Sequence, residues 1–379
     1  MKVAVVTFHE APSCGAMLQA WALQSVLRRM GHEPFFPAGN GIGTFGFRWP
    51  VRRTLRTGRS IDLSGRWKAF FGNMMSIGVF RPTMAAYDAF RKANMNELRV
   101  PLGSLADHCD AAIFGSDQVW NPALTLDKTD YFTGRALPNG FCSIAYAASA
   151  GDSIPQGGGW IRLAEAVRRF SAVSVREPAL AEALAAPLAY EPKVTLDPTL
   201  LLDAVDYMPL ATEAPCKGGY LYVYTLFYNS GVLGLARVVA AELGLGLVYT
   251  PLYQYTRHRV SRGVSLGVSP GRFVACLANA KCVLTDSFHG TALSLVFGKP
   301  VVALRHRPDP VESRPAAILR CVGCQDRLLC CPKDAAEVAQ LLVKPIGPGV
   351  PAKLGELRTD SISWLEDALV GADMHPSRQ

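Results

Sequence analysis

A chain of 379 residues, 49% hydrophobic and 18% charged, has the length of about two domains and too much apolar content for a disordered one. No uncharged apolar run approaches the roughly 18 residues that a membrane helix requires. The formal charge of +8 is mostly local, since seven basic residues between Arg48 and Lys68 face only Asp62. A fold-wide basic face is therefore absent, and no nucleic-acid partner is expected.

In chain order, Val3–Phe8 reads as a buried first strand; His9 and Glu10 follow too soon for a secretory leader, so a cytoplasmic protein is expected. Ala16–Met30 carries Leu18, Leu23, Val26 and Leu27 at helical spacing. Residues 40–80 read as an insertion. Its Arg48–Lys68 cluster is either a solvated basic face or a peripheral contact with the inner membrane near a lipid-linked acceptor. Further strands are expected at Ala111–Phe114, Ser143–Ala147, Ala172–Val175, Tyr220–Leu226, Leu247–Thr250, Cys282–Thr285 and Val301–Leu304. Helices are expected at Thr83–Asn96, Ile161–Phe170, Leu180–Leu184, Val232–Leu243, Pro270–Ala280, Thr291–Phe297 and Ser361–Val370. This alternation predicts an α/β fold of two Rossmann-like lobes facing a cleft. The lobes are expected at 1–203 and 204–345, the loose stretch Asp203–Gly219 separating them. A tail, 346–379, should return its helix to the first lobe.

Ten cysteines lie mostly in apolar stretches and read as reduced, buried small residues. Cys321 and Cys324, followed by the adjacent pair Cys330-Cys331, have poor spacing for zinc, and no metal is expected. A single glycine after the first strand, Gly15, argues against a dinucleotide fingerprint, and no phosphate-loop, HExxH or GxSxG pattern occurs.

Three strand-end loops carry the chemistry, where open α/β sheets place ligands. In Gly115-Ser116-Asp117-Gln118-Val119-Trp120-Asn121, an acid, two amides and an indole suit sugar recognition. The competing reading caps Asp117 on its own backbone and buries Trp120. In Ser174-Val175-Arg176-Glu177-Pro178, Arg176 either presents its fork to a carboxylate or phosphate, or pairs with a neighbouring acid such as Glu177. In Thr285-Asp286-Ser287-Phe288-His289-Gly290-Thr291, His289 sits beside a helix start that favours anions. It either binds phosphate or delivers a proton, or else caps the turn as a structural residue. Arg305, Arg314 and Arg327 follow, fit for a multiply charged ligand or for a solvated surface.

Taken in order, GSDQVWNP, AYAASAG, SVREP, LDPTLLL and the long segment SPGRFVACLANAKCVLTDSFHGTALSLVFGKPVV resemble the polysaccharide pyruvyl transferase family. The resemblance implies a GT-B-like architecture and transfer of the pyruvyl group of phosphoenolpyruvate onto sugar hydroxyls as a ketal. Phosphoenolpyruvate is then a co-substrate, and no cofactor is required. It places the donor on Arg176 and His289, with His289 as the acid; by their own chemistry rather than by the resemblance, Ser287, Gly290, Thr291, Arg305 and Arg314 are expected around the donor. Asp117 is the candidate base, and Gly115, Ser116, Gln118, Trp120 and Asn121 are the candidate acceptor residues. Ser287 stands where some members carry an arginine, and Ser13-Cys14-Gly15 where many carry Asn-Tyr-Gly. The alternatives are a glycosyltransferase using a nucleotide sugar and a non-catalytic glycan-binding protein.

Overall fold

The computed structural model describes residues 1–38, 83–125, 129–151, 154, 157–212, 219–227, 229–253, 269–306 and 313–373. The Arg48–Lys68 cluster and the whole of the 40–80 insertion lie outside them. Among the described residues, the first sheet has seven strands in the order β3-β2-β1-β4-β5-β6-β7. These are β1 (Lys2–Val6), β2 (Glu33–Pro37), β3 (Glu97–Leu98), β4 (Ala111–Phe114), β5 (Ser143–Ala148), β6 (Ala172–Val175) and β7 (Lys193–Val194). The second sheet, in the order β12-β11-β10-β8-β9, starts at β8 (Tyr220–Phe227). Its other strands are β9 (Gly246–Tyr253), β10 (Cys282–Thr285), β11 (Val301–Arg305) and β12 (Leu328–Cys330). Every pairing is parallel, so all strands deliver their C-terminal ends, and the loops that follow, to the same edge of each sheet.

The helices used below are α1 (Cys14–Arg29), α2 (Gly157–Val167), α3 (Pro178–Leu188), α4 (Ser230–Glu242) and α5 (Pro270–Asn279). They continue with α6 (Phe288–Val296), α7 (Arg314–Cys321), α8 (Ala335–Val343) and α9 (Gly349–Asp373). Ser13 caps α1, its hydroxyl accepting from the Ala16 N–H, and Arg28 and Arg29 offset the dipole at the other end. Most of α1 is buried, because it lies between the lobes rather than on the outside of one sheet.

One apolar core crosses both lobes. Val3 and Val5 of β1, Met17 and Leu23 of α1, Phe273 of α5 and Leu365 of α9 belong to it. β8 shows how a period of two builds such a core. Tyr220, Tyr222 and Tyr224 face it, whereas Leu221 and Val223 turn to α4 and α8. Helix α9 packs on the first lobe: Trp364 lies against Tyr146, and the Ser361 hydroxyl accepts from the Leu196 N–H at 3.0 Å. Its Arg358 donates to the carbonyls of Leu200 and Leu202 and to Asp203.

Four strands escape sequence reading, for local reasons. β2 holds two prolines, and β3, β7 and β12 are only two or three residues long. Helices α7 and α8 also lay outside the expected elements, and α9 begins twelve residues earlier than its apolar pattern indicates. Among the described residues, no helix is long and apolar enough to cross a membrane.

Candidate functional site

The segments after β4 and β6 and the start of α6 converge on one buried carboxylate, Asp197, just past β7. Its Oδ1 accepts from the Thr199 N–H (3.0 Å) and the Thr199 hydroxyl (2.7 Å), which begins the short helical turn Pro198–Leu200. Its Oδ2 accepts from the Ser116 hydroxyl (3.0 Å) and from Nη1 of Arg176 (2.6 Å). Nε2 of His289 lies 3.6 Å from that same oxygen. Burial would raise the Asp197 carboxyl, but His289, Arg176 and the Thr199 N–H outweigh it and hold the group well below the ordinary carboxylate range.

Arg176 follows β6 in a buried position. Its Nε pairs with Glu177 (3.2 Å), its Nη1 with Asp197, and its plane lies 4.5 Å from the Phe288 ring centre. Nη2 is sealed and has no hydrogen-bond partner, with Asp117 Oδ1 3.9 Å away. Burial works against the guanidinium, but three carboxylates override it and keep the charge fixed. The fork expected to grip a ligand is thus largely occupied by protein acids. Glu177 accepts from the Ser149 hydroxyl at 2.6 Å, and burial raises its carboxyl against the opposing pull of Arg176. A bulge in β5 delivers Ser149, since the β5–β6 register shifts between Ala145 and Ala148, where Ala147 takes a φ of 45°.

The loop after β4 folds inward. Gly115 has a φ of 113°, and a Cβ there would overlap the Tyr146 carbonyl. Asp117, itself buried, accepts from the Gln118 N–H at 2.9 Å. Trp120 is a correction to the acceptor assignment. It is fully buried against Phe170, its Nε1–H donating to the Phe132 carbonyl, so its face cannot cover a pyranose. Gln118 lies 2.9 Å from Asn121. With its carboxamide oxygen turned to α7, it accepts from both terminal nitrogens of Arg314, at 3.1 and 3.2 Å.

The His loop is a helix start of the capped kind. The Ser287 hydroxyl accepts from the Gly290 N–H, and the Thr291 hydroxyl donates to the Ser287 carbonyl. Gly290 is required because a Cβ would overlap Thr285. These three residues build the turn that aims His289, and their polar atoms face the protein. Across the lobe seam His289 meets Gly15 so closely that a Cβ on Gly15 would overlap the imidazole at Nδ1.

A cavity of ≈ 170 Å³ adjoins this cluster, lined by Arg176, Glu177, Asp197, Phe288 and Arg314 among others. Arg305 is not among its lining residues; it ends β11 next to His306, which pairs with Asp286 at 2.8 Å. Arg327 is buried and caps carbonyls of Leu341, Lys344 and Pro345. Among the described residues, no group of three His, Cys, Asp or Glu side chains is placed to hold a metal ion.

Sequence reasoning listed LDPTLLL as a motif yet gave Asp197 no role. Its signal was present, because an acid followed by Pro-Thr is a helix-capping pattern that leaves one carboxylate oxygen free for other donors. Gly15 and Ser149 were likewise missed.

Comparison with solved structures shows the same two-lobed fold. MnaA of S. aureus, solved with UDP, is 12% identical with a TM-score of 0.51, covering 97% of this chain and 96% of that one. The UDP-GlcNAc 2-epimerase of Neisseria meningitidis, bound to UDP-GlcNAc, is 10% identical with a TM-score of 0.50, covering 98% and 100%. The glycosyltransferase SnogD of Streptomyces nogalater is 15% identical with a TM-score of 0.47, covering 99% of both chains. No curated protein matches. The two structures with TM-scores of 0.50 or more, together with the two parallel sheets, define the architecture as α/β, two-lobed and GT-B-like. Within that class, the family model described as polysaccharide pyruvyl transferase matches residues 14–308, and the chain belongs to that family of transferases.

Proposed function

We propose that this protein moves the pyruvyl group of phosphoenolpyruvate onto two hydroxyls of a sugar or glycan precursor, free, nucleotide-linked or lipid-linked. The observation that carries the reading is Arg314. Helix α7 brings this second guanidinium to the cavity that Arg176 lines, next to the His loop, where Ser287 supplies no charge. Arg314 takes the phosphate or carboxylate directly, and the fixed charge of Arg176 supports it through the cavity wall.

His289 then protonates the methylene carbon of phosphoenolpyruvate, and positive charge develops at the central carbon. A first sugar hydroxyl attacks that carbon and gives up its proton, with Asp117 as the candidate base. Phosphate departs with the carbon–oxygen bond pair, and a second hydroxyl closes the ketal. One hydroxyl proton replaces that lost by His289, and the other leaves with phosphate.

Calorimetric titration of phosphoenolpyruvate tests the donor. The wild type should bind, and Arg314→Ala should weaken binding at least about tenfold, the loss of one charge-assisted contact. Wild-type protein that takes up no phosphoenolpyruvate, with or without candidate sugars, overturns the reading.

A further inference from the structure

His289 has two ring nitrogens in unlike settings. Nε2 is sealed from solvent, lacks a hydrogen-bond partner, and faces Asp197 Oδ2 at 3.6 Å. Nδ1 lies at the lobe seam against Gly15, whose missing side chain is what allows the ring to sit there. The carboxylate opposite Nε2 cannot turn away, because Thr199 holds one of its oxygens while Ser116 and Arg176 hold the other. An anion fixed on one side of an imidazole keeps a proton on the nitrogen that faces it.

We infer that Asp197 is a positioning residue that keeps the proton on Nε2 of His289, making Nδ1 the nitrogen that exchanges a proton with substrate. The inference deepens the pyruvyl-transfer reading and, for the step itself, rests on it. The imidazolium carries protons on both nitrogens before reaction. Its Nδ1 proton forms the new C–H bond with the π pair of the phosphoenolpyruvate double bond, leaving the neutral ring as the Nε2–H form. The proton that Asp117 takes from the attacking hydroxyl is returned to Nδ1 before the next turnover. A ring with the reverse preference would hold its proton-accepting lone pair against Asp197, where no substrate can reach.

Long-range ¹H–¹⁵N spectra of histidine-labelled, substrate-free protein, recorded through a pH series up to the point where the ring is neutral, read the tautomer of the neutral form directly. His289 in the Nε2–H form is expected, and a predominant Nδ1–H form overturns the inference. Asp197→Asn presents an amide donor to Nε2 and should reverse the tautomer, with turnover falling at least about a hundredfold. Wild-type turnover in that variant also overturns it. Should Asp197→Asn not fold, the wild-type spectrum still decides. That spectrum needs no phosphoenolpyruvate. An Nε2–H ring in a protein that binds no phosphoenolpyruvate supports the positioning role and removes only the donor reading.

Discussion

At the scale of single residues, the site is defined by what has been left out as much as by what is present. Gly15 has no side chain because the imidazole of His289 occupies that space. Gly15→Ala should push the ring off its place between the two lobes. A shift on the order of 1 Å in a reacting group costs about a hundredfold in rate. Steady-state kinetics should show that loss with the fold intact by circular dichroism, and unchanged turnover would mean that His289 is not seated there during reaction. Arg176 makes the complementary point: in sequence it is one basic residue beside one acid, whereas in space three carboxylates surround it. Which of the two readings of that arginine applies depends on Asp117 and Asp197, both remote in sequence.

Single elements carry a second ionisable cluster outside the site. The loop leaving β1 buries His9 between Phe36, which it stacks upon, and Glu97 of β3 at 3.8 Å. Burial lowers the His9 imidazole to about 4, with Glu10 and the Thr7 carbonyl opposing and Arg91 assisting. A histidine whose folded value lies below its unfolded one favours the folded state above the unfolded value. Stability should therefore be complete above about pH 6.5 and fall as the pH drops toward 4. The size is on the order of 3 kcal/mol, at 1.36 kcal/mol per unit. His9→Asn retains a donor for the Thr7 carbonyl and removes the titration. Denaturant melts across this range should lose that part of the slope in the variant; identical slopes would refute the assignment.

At the scale of the molecule, the lobes share their largest core, and α9 fastens the end of the chain to the first lobe. A shared core couples the lobes energetically, so calorimetric unfolding should show one transition rather than two. Arg358→Ala removes donors to two carbonyls and a carboxylate and should cost about 1–3 kcal/mol, lowering that single transition without splitting it. Two resolved transitions in the wild type would show that the lobes unfold independently. The same coupling explains why His289 on one lobe can rest on Gly15 and Asp197 of the other.

Local chemistry by itself determines much of this protein. Runs such as Cys282–Thr285 are strands because β-branched and apolar residues bury both faces of a parallel sheet, and that pattern is periodic in sequence. The glycine-rich turns and helix caps of the three loops are local too, which is why GSDQVWNP, SVREP and DSFHG were legible as site-forming segments. Only the tertiary structure decided which way their side chains point. It turned Trp120 into the core, engaged Arg176 with Asp197, brought Arg314 across the seam and set Gly15 against His289. Those outcomes depend on contacts between residues far apart in the chain. Nothing in a loop's own composition specifies the carboxylate, ring or glycine that another strand end will place beside it.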